Sequence, residues 1–185
     1  MKAENVFVEY ETDEENSRPI RPLAKEETDL YKNDEAATLS DLPELMRGLL
    51  SGESDEIADL ANAAALIYDT VPDLNWAGFY RLLPDGELIL GPFQGKPACV
   101  HIAPGRGVCG KAVESGEPVV VPDVHAFPGH IACDAASASE MVVPLRRKSG
   151  ALFGVLDLDS ATPARFAPIA EVILATAKVI EEAVG

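Results

Sequence analysis

WAGFYRLLPDGELILGPF, residues 76–93, sets two apolar, aromatic-rich stretches on either side of the turn signal Pro84-Asp85-Gly86. A connection this short cannot carry the chain over a sheet, so the stretches predict an antiparallel hairpin. The arrangement recurs in EMVVPLRR, residues 140–147, and ALFGVLDLDS, residues 151–160, around Lys148-Ser149-Gly150. ACVHIAP at 98–104 and PVVVPDV at 118–124 supply further strand candidates, and GKAVESG at 110–116 reads as a small helix between them.

Helical spacing brackets these strands. SDLPELMRGLL at 40–50 is followed by SDEIADLANAAALIYDTV at 54–71, where Ile57, Leu60, Ala61, Ala64 and Tyr68 predict one apolar face. Ser54, Asp55 and Glu56 suit a helix start, because side-chain oxygens and negative charge satisfy the first free N–H groups. Near the carboxyl end, Ile169, Val172, Ile173, Thr176, Val179, Ile180 and Ala183 predict a second face. The expected fold class is α+β: one antiparallel sheet with helices packed on one face.

Residues 1–36 hold eleven Asp or Glu against five Lys or Arg and show no sustained apolar period. They predict an acidic arm, within which VFVEYE alternates well enough for a short edge strand, and residues 37–185 form the expected domain. The net charge of −16 over 185 residues repels phosphates and anionic lipid heads, which argues against nucleic-acid and membrane partners. The first residues, MKAENVFVEYETDEEN, are too acidic for a signal or transit peptide, and no apolar run approaches a membrane span. A cytoplasmic location is expected.

In a reducing compartment the odd set Cys99, Cys109 and Cys133 argues against a disulfide framework. GRGVCG at 105–110 matches G-x-G-x-x-G, but the helix after it is short and the residues near the position for a ribose-binding acid are Gly129 and His130. That argues against a dinucleotide fold and leaves Cys109 near a helix start, where it would feel the positive end of a dipole. Cys99, His101, Cys109, His125, His130 and Cys133 contain no C-x-x-C or H-x-x-x-H pair, so no metal site and no cofactor are expected. Thiol redox chemistry and plain packing both stay open for the cysteines. Cys133 itself lies in GHIACDAASASE, residues 129–140, among alanines and serines and beside Asp134.

Asp157 and Asp159 alternate at the end of a strand and share a face. With Glu140 they could hold an ammonium group, and one kept protonated could donate to a polar oxygen. Trp76 and Tyr80, four apart on a strand, would share a face as an apolar wall or as a core pair.

Taken together, NWAGFY, LGPFQGKPAC, GRGVCG, DVHAFPGHIACDAASASE and GVLDLDS resemble the free methionine-(R)-sulfoxide reductases, a GAF-domain enzyme family, over about residues 40–185. The resemblance implies that Cys133 attacks the sulfoxide sulfur and becomes a sulfenic acid, and that Cys99 resolves it as a disulfide. Cys109 would be an auxiliary resolving thiol or a residue that shapes the site. Glu140, Asp157 and Asp159 would hold the amino group and sulfoxide oxygen, and Trp76 and Tyr80 would wall the methylthio end. A thioredoxin-type partner would reduce the disulfide, and a homodimer fits a GAF enzyme of this size. The rival reading is a GAF domain that senses a small molecule without turning it over.

Overall fold

The computed structural model describes residues 38–130 and 134–184, which all fall in the unit Glu35–Gly185. The predicted arm and its VFVEYE strand lie outside the described residues, as does Cys133.

Helix α1 (Leu42–Leu49) follows a short 3-10 turn, and Pro43 sits in its first turn, where no intrahelical N–H bond is needed. Helix α2 (Glu56–Thr70) is capped by Asp55, whose Oδ1 accepts from the N–H groups of Ile57 and Ala58 at 3.0 and 2.9 Å. Strands β1 (Leu74–Leu82) and β2 (Leu88–Gly95) form the predicted hairpin around Pro84-Asp85-Gly86. Strand β3 (His101–Ile102), helix α3 (Gly107–Ser115) and strand β4 (Val119–Val121) follow. The second hairpin, β5 (Ser139–Arg146) with β6 (Leu152–Ser160), leads to the closing helix α4 (Ala170–Val184).

The six strands run in the order β3-β2-β1-β6-β5-β4, and every neighbouring pair is antiparallel. The two hairpins therefore meet through β1 and β6 at the centre of the sheet. On one face Phe79, Met141, Leu145, Leu156 and Leu158 pack against α1, α2 and α4 in the main core. Complete burial of each such side chain contributes about 1.5–3 kcal/mol, so this face holds most of the stability. The short helix α3 lies on the other face, where Val108, Cys109 and Ala112 meet Trp76, Tyr80 and Val142.

The apolar face predicted for α2 is rotated in the structure. Ile57 and Tyr68 are 50% and 38% exposed, while Asp59, Leu60, Ala63, Ala64 and Ile67 are buried. Alanine at 58, 61, 63, 64 and 65 makes the helix nearly apolar all round, which weakens the periodic signal. The small side chains of Ala63 and Ala64 instead allow close approach to the sheet, and that contact sets the rotation. The face predicted for α4 holds at Ile173, Thr176, Val179 and Ile180.

Candidate active site

The sheet face opposite the main core ends in an open cleft. Trp76, Tyr80, Cys109, Glu140, Asp157 and Asp159 all border it. Six of the eight residues singled out in the sequence thus come together. Cys99 follows the lining residue Ala98 and is half-buried, and the segment holding Cys133 is flanked by the lining residues His130 and Asp134.

Strand alternation explains the acids. Glu140 stands opposite Asp159 and Val142 opposite Asp157 across the β5–β6 pairing, so all three carboxylates rise from the same face of adjacent strands. Glu140 and Asp157 are each only 6% exposed. Burial, followed by the charges of Asp157 and Asp159, holds the Glu140 carboxyl well above the usual carboxylate range. Asp157 is pushed up in the same direction by burial and then by Asp159. Asp159 is raised to about 6, again mainly by burial, against a hydrogen bond from Ser137 that favours its charged form. Three adjacent carboxyls in a dry site cannot all ionise without a cation, so the cleft can donate protons or attract an ammonium group.

Cys109 occupies the third position of α3, yet its thiol is raised, not lowered. Burial comes first, then the charges of Asp157 and Glu140 and the hydrogen bond that the thiol donates to Asp157. A helix terminus contributes about 0.3–1 kcal/mol, less than burial beside several acids costs a thiolate, so the expected dipole effect is overridden. Cys109 is a protonated donor at neutral pH. Its helix reaches the site because Gly110 has no side chain: a Cβ there would lie 2.8 Å from the Gly105 carbonyl carbon.

The aromatic wall rests on another missing side chain. Trp76 and Tyr80 stack with centroids 5.9 Å apart, and Phe93 extends the stack 5.4 Å from Trp76. Between the first two sits Gly78, where a Cβ would fall 2.4 Å from the Phe93 Cβ and 2.6 Å from Trp76 Cη2. Both aromatic polar ends are used: Trp76 Nε1 donates to the Lys96 carbonyl at 3.1 Å and the Tyr80 hydroxyl to the Cys99 carbonyl at 3.0 Å. Tyr80 thus holds the Cys99 segment against the wall.

Sequence reasoning passed over the groups that anchor the GHIACDAASASE segment. Asp134 accepts from Lys96 Nζ at 3.0 Å, from Asn75 Nδ2 at 3.4 Å and from the Ala136 N–H at 3.0 Å. These partners, the Ala136 N–H above all, hold its carboxyl below the usual range. Asn75 also donates to Ser137 Oγ at 2.9 Å, and Ser137 serves Asp159, so one chain of hydrogen bonds runs from the residue after Cys133 to the acids. His130 Nε2 lies 3.5 Å from Glu140 Oε2, and burial lowers the imidazole so that it is neutral near pH 7. The only local hint was a run of small polar residues, since Asn75 and Ser137 are 62 positions apart.

A six-stranded antiparallel sheet in the order β3-β2-β1-β6-β5-β4, with helices packed on one face and a short helix over the other, is the arrangement of a GAF domain. The GAF domain family matches residues 57–177. Free methionine-R-sulfoxide reductase of Escherichia coli is 54% identical over 127 residues, 69% of this chain and 76% of that protein. The crystal structure of free methionine-R-sulfoxide reductase from Neisseria meningitidis in complex with its substrate is 42% identical, covers 82% of this chain and 90% of its own, and superposes with a TM-score of 0.75. The substrate complex of fRMsr from Staphylococcus aureus, at 46% identity, covers 80% of this chain and 95% of its own with a TM-score of 0.74. The chain belongs to the free methionine-R-sulfoxide reductase family of GAF domains.

Proposed function

We propose that the protein reduces free methionine-(R)-sulfoxide to methionine with thiol electrons, as a cytoplasmic enzyme. The observation that carries this reading is the placement of Glu140, Asp157 and Asp159 beside the Trp76–Tyr80 wall, in a cleft bordered on both sides of the Cys133 segment. An ammonium group suits the acids and a methylthio group suits the aromatic faces. Family membership supplies the reaction.

In the proposed sequence the Cys133 thiolate attacks the sulfoxide sulfur while a carboxylic acid of the site, Glu140 or Asp159, gives a proton to the oxygen. The protonated oxygen then passes to the Cys133 sulfur as the substrate's S–O bond and the newly formed S–S bond break, so that methionine leaves and Cys133 is oxidised to a sulfenic acid. The Cys99 thiolate then attacks the Cys133 sulfur, a disulfide forms and water departs with the sulfenic oxygen. A dithiol partner of the thioredoxin type takes up the disulfide and restores both thiols, closing the two-electron balance. The raised acids suit proton donation near neutral pH, and Tyr80 keeps the Cys99 segment at the cleft rim. Cys109, held protonated against Asp157, shapes the site in this reading and does not act as a nucleophile.

The deciding experiment supplies separated R and S isomers of free methionine sulfoxide with a dithiol reductant and follows methionine. Turnover of the R isomer alone, with N-acetylmethionine sulfoxide processed poorly because it lacks the ammonium, is expected. Failure to turn over the free R isomer overturns the reading.

A further inference from the structure

The spacing of cysteines and histidines along the chain gives no metal motif, but the fold assembles a donor set from three separate elements. One ligand atom each from Cys109 on α3, Glu140 on β5 and Asp157 on β6 lie within 4.8 Å of one another, and all three residues are buried. Donor atoms around a tetrahedral ion with ordinary Zn–S and Zn–O bonds stand about 3.6 Å apart, so side-chain rotation alone can close them on an ion. A second observation points the same way: Asp157, 6% exposed and bordering the cleft, has no hydrogen-bond partner for Oδ1 among the described residues. A buried, unpaired carboxylate oxygen is costly unless something occupies the space in front of it.

We propose that Cys109, Glu140 and Asp157 form a binding site for a thiophilic divalent cation of the Zn²⁺ class. One sulfur with two carboxylate oxygens suits zinc or cobalt and not magnesium or calcium, which take oxygen shells. The three donors leave a fourth position facing the open cleft, for water or a ligand atom. His130, 3.5 Å from Glu140 Oε2, stands behind the shell and steadies that carboxylate. On binding, the thiol proton and the protons held by the raised Glu140 and Asp157 carboxyls pass to buffer, and a Cys109 thiolate with two carboxylates faces the ion. Because Glu140 and Asp157 also hold the ammonium in the proposed reaction, cation and substrate exclude one another. That exclusion rests on the proposed function, whereas the metal site itself does not.

The test uses full-length protein carrying Cys99→Ser and Cys133→Ser, which leaves Cys109 as the sole thiol and prevents turnover. Anaerobic titration with Co²⁺ should give one equivalent of binding and a thiolate-to-cobalt charge-transfer band in the near ultraviolet, and Zn²⁺ should bleach it. Adding Cys109→Ala should remove the band. Asp157→Asn should weaken Co²⁺ binding at least about tenfold while circular dichroism stays unchanged. No band in folded protein, or binding unaffected by Asp157→Asn, overturns the site whatever the activity assay gives. Free methionine sulfoxide should also release the cobalt, and a band that survives saturating methionine sulfoxide overturns the exclusion.

Discussion

Asp159→Asn isolates the electrostatic strain of the site from its chemistry. In the folded chain Asp159 ionises at about 6 against an ordinary 3.8, chiefly because burial penalises the charge. The native state therefore binds this proton more tightly than the unfolded chain. Its contribution to stability is fully present below pH 3.8 and is lost as pH rises through about 6. At about 1.4 kcal/mol per pH unit, the gap amounts to as much as about 3 kcal/mol. Asparagine cannot ionise and can still accept the Ser137 hydroxyl, so the variant should lack this loss. Removing the charge also relieves Glu140 and Asp157, which acts in the same direction.

The assay is equilibrium urea unfolding of wild type and variant at intervals between pH 4 and pH 7.5. Asp134, held ionised by its partners, contributes a slope of the opposite sign, so the difference between the two proteins is the quantity to read. The curves should converge toward pH 4 and separate through pH 6, until Asp159→Asn is the more stable protein at pH 7.5. The corresponding rise in Tm is about 6–12 °C for a chain of this length. The gain should accompany a loss of turnover, since a site that binds a cation stores repulsion in its absence. Parallel stability curves, or a wild type that gains on the variant as pH rises, would refute the argument.

Cys133→Ser should abolish methionine release, whereas Cys99→Ser should release about one methionine per chain and then stall as a sulfenic acid, read in a single-turnover assay with a sulfenic-acid probe. Gly78→Ala must displace Phe93 or Trp76, so thermal unfolding should show a loss of about 1–3 kcal/mol, and KM for the sulfoxide should rise as the wall is disturbed. Asn75→Ala removes donors to Asp134 and Ser137, and kcat/KM should fall about five- to fiftyfold, with circular dichroism unchanged. An unchanged kcat/KM would show that the chain of hydrogen bonds does not position the site.

The sequence by itself determined the two hairpins, the helix start around Ser54-Asp55-Glu56, the shared face of Asp157 and Asp159 and the shared face of Trp76 and Tyr80. Each depends on residues a few positions apart, where turn chemistry and the period of a strand act locally. The rotation of α2 was not legible, because a helix rich in alanine has little apolar asymmetry and its buried face is chosen by what fits the sheet. Nor was the protonation of Cys109, since its place at a helix start said one thing and the acids brought from β5 and β6 said another. The tether from Asp134 through Asn75 and Ser137 to Asp159, and the meeting of Cys109 with Glu140 and Asp157, join residues far apart in the chain. Only the tertiary structure decided these, because desolvation and charge coupling are properties of a closed cleft and fall away when its walls are separated.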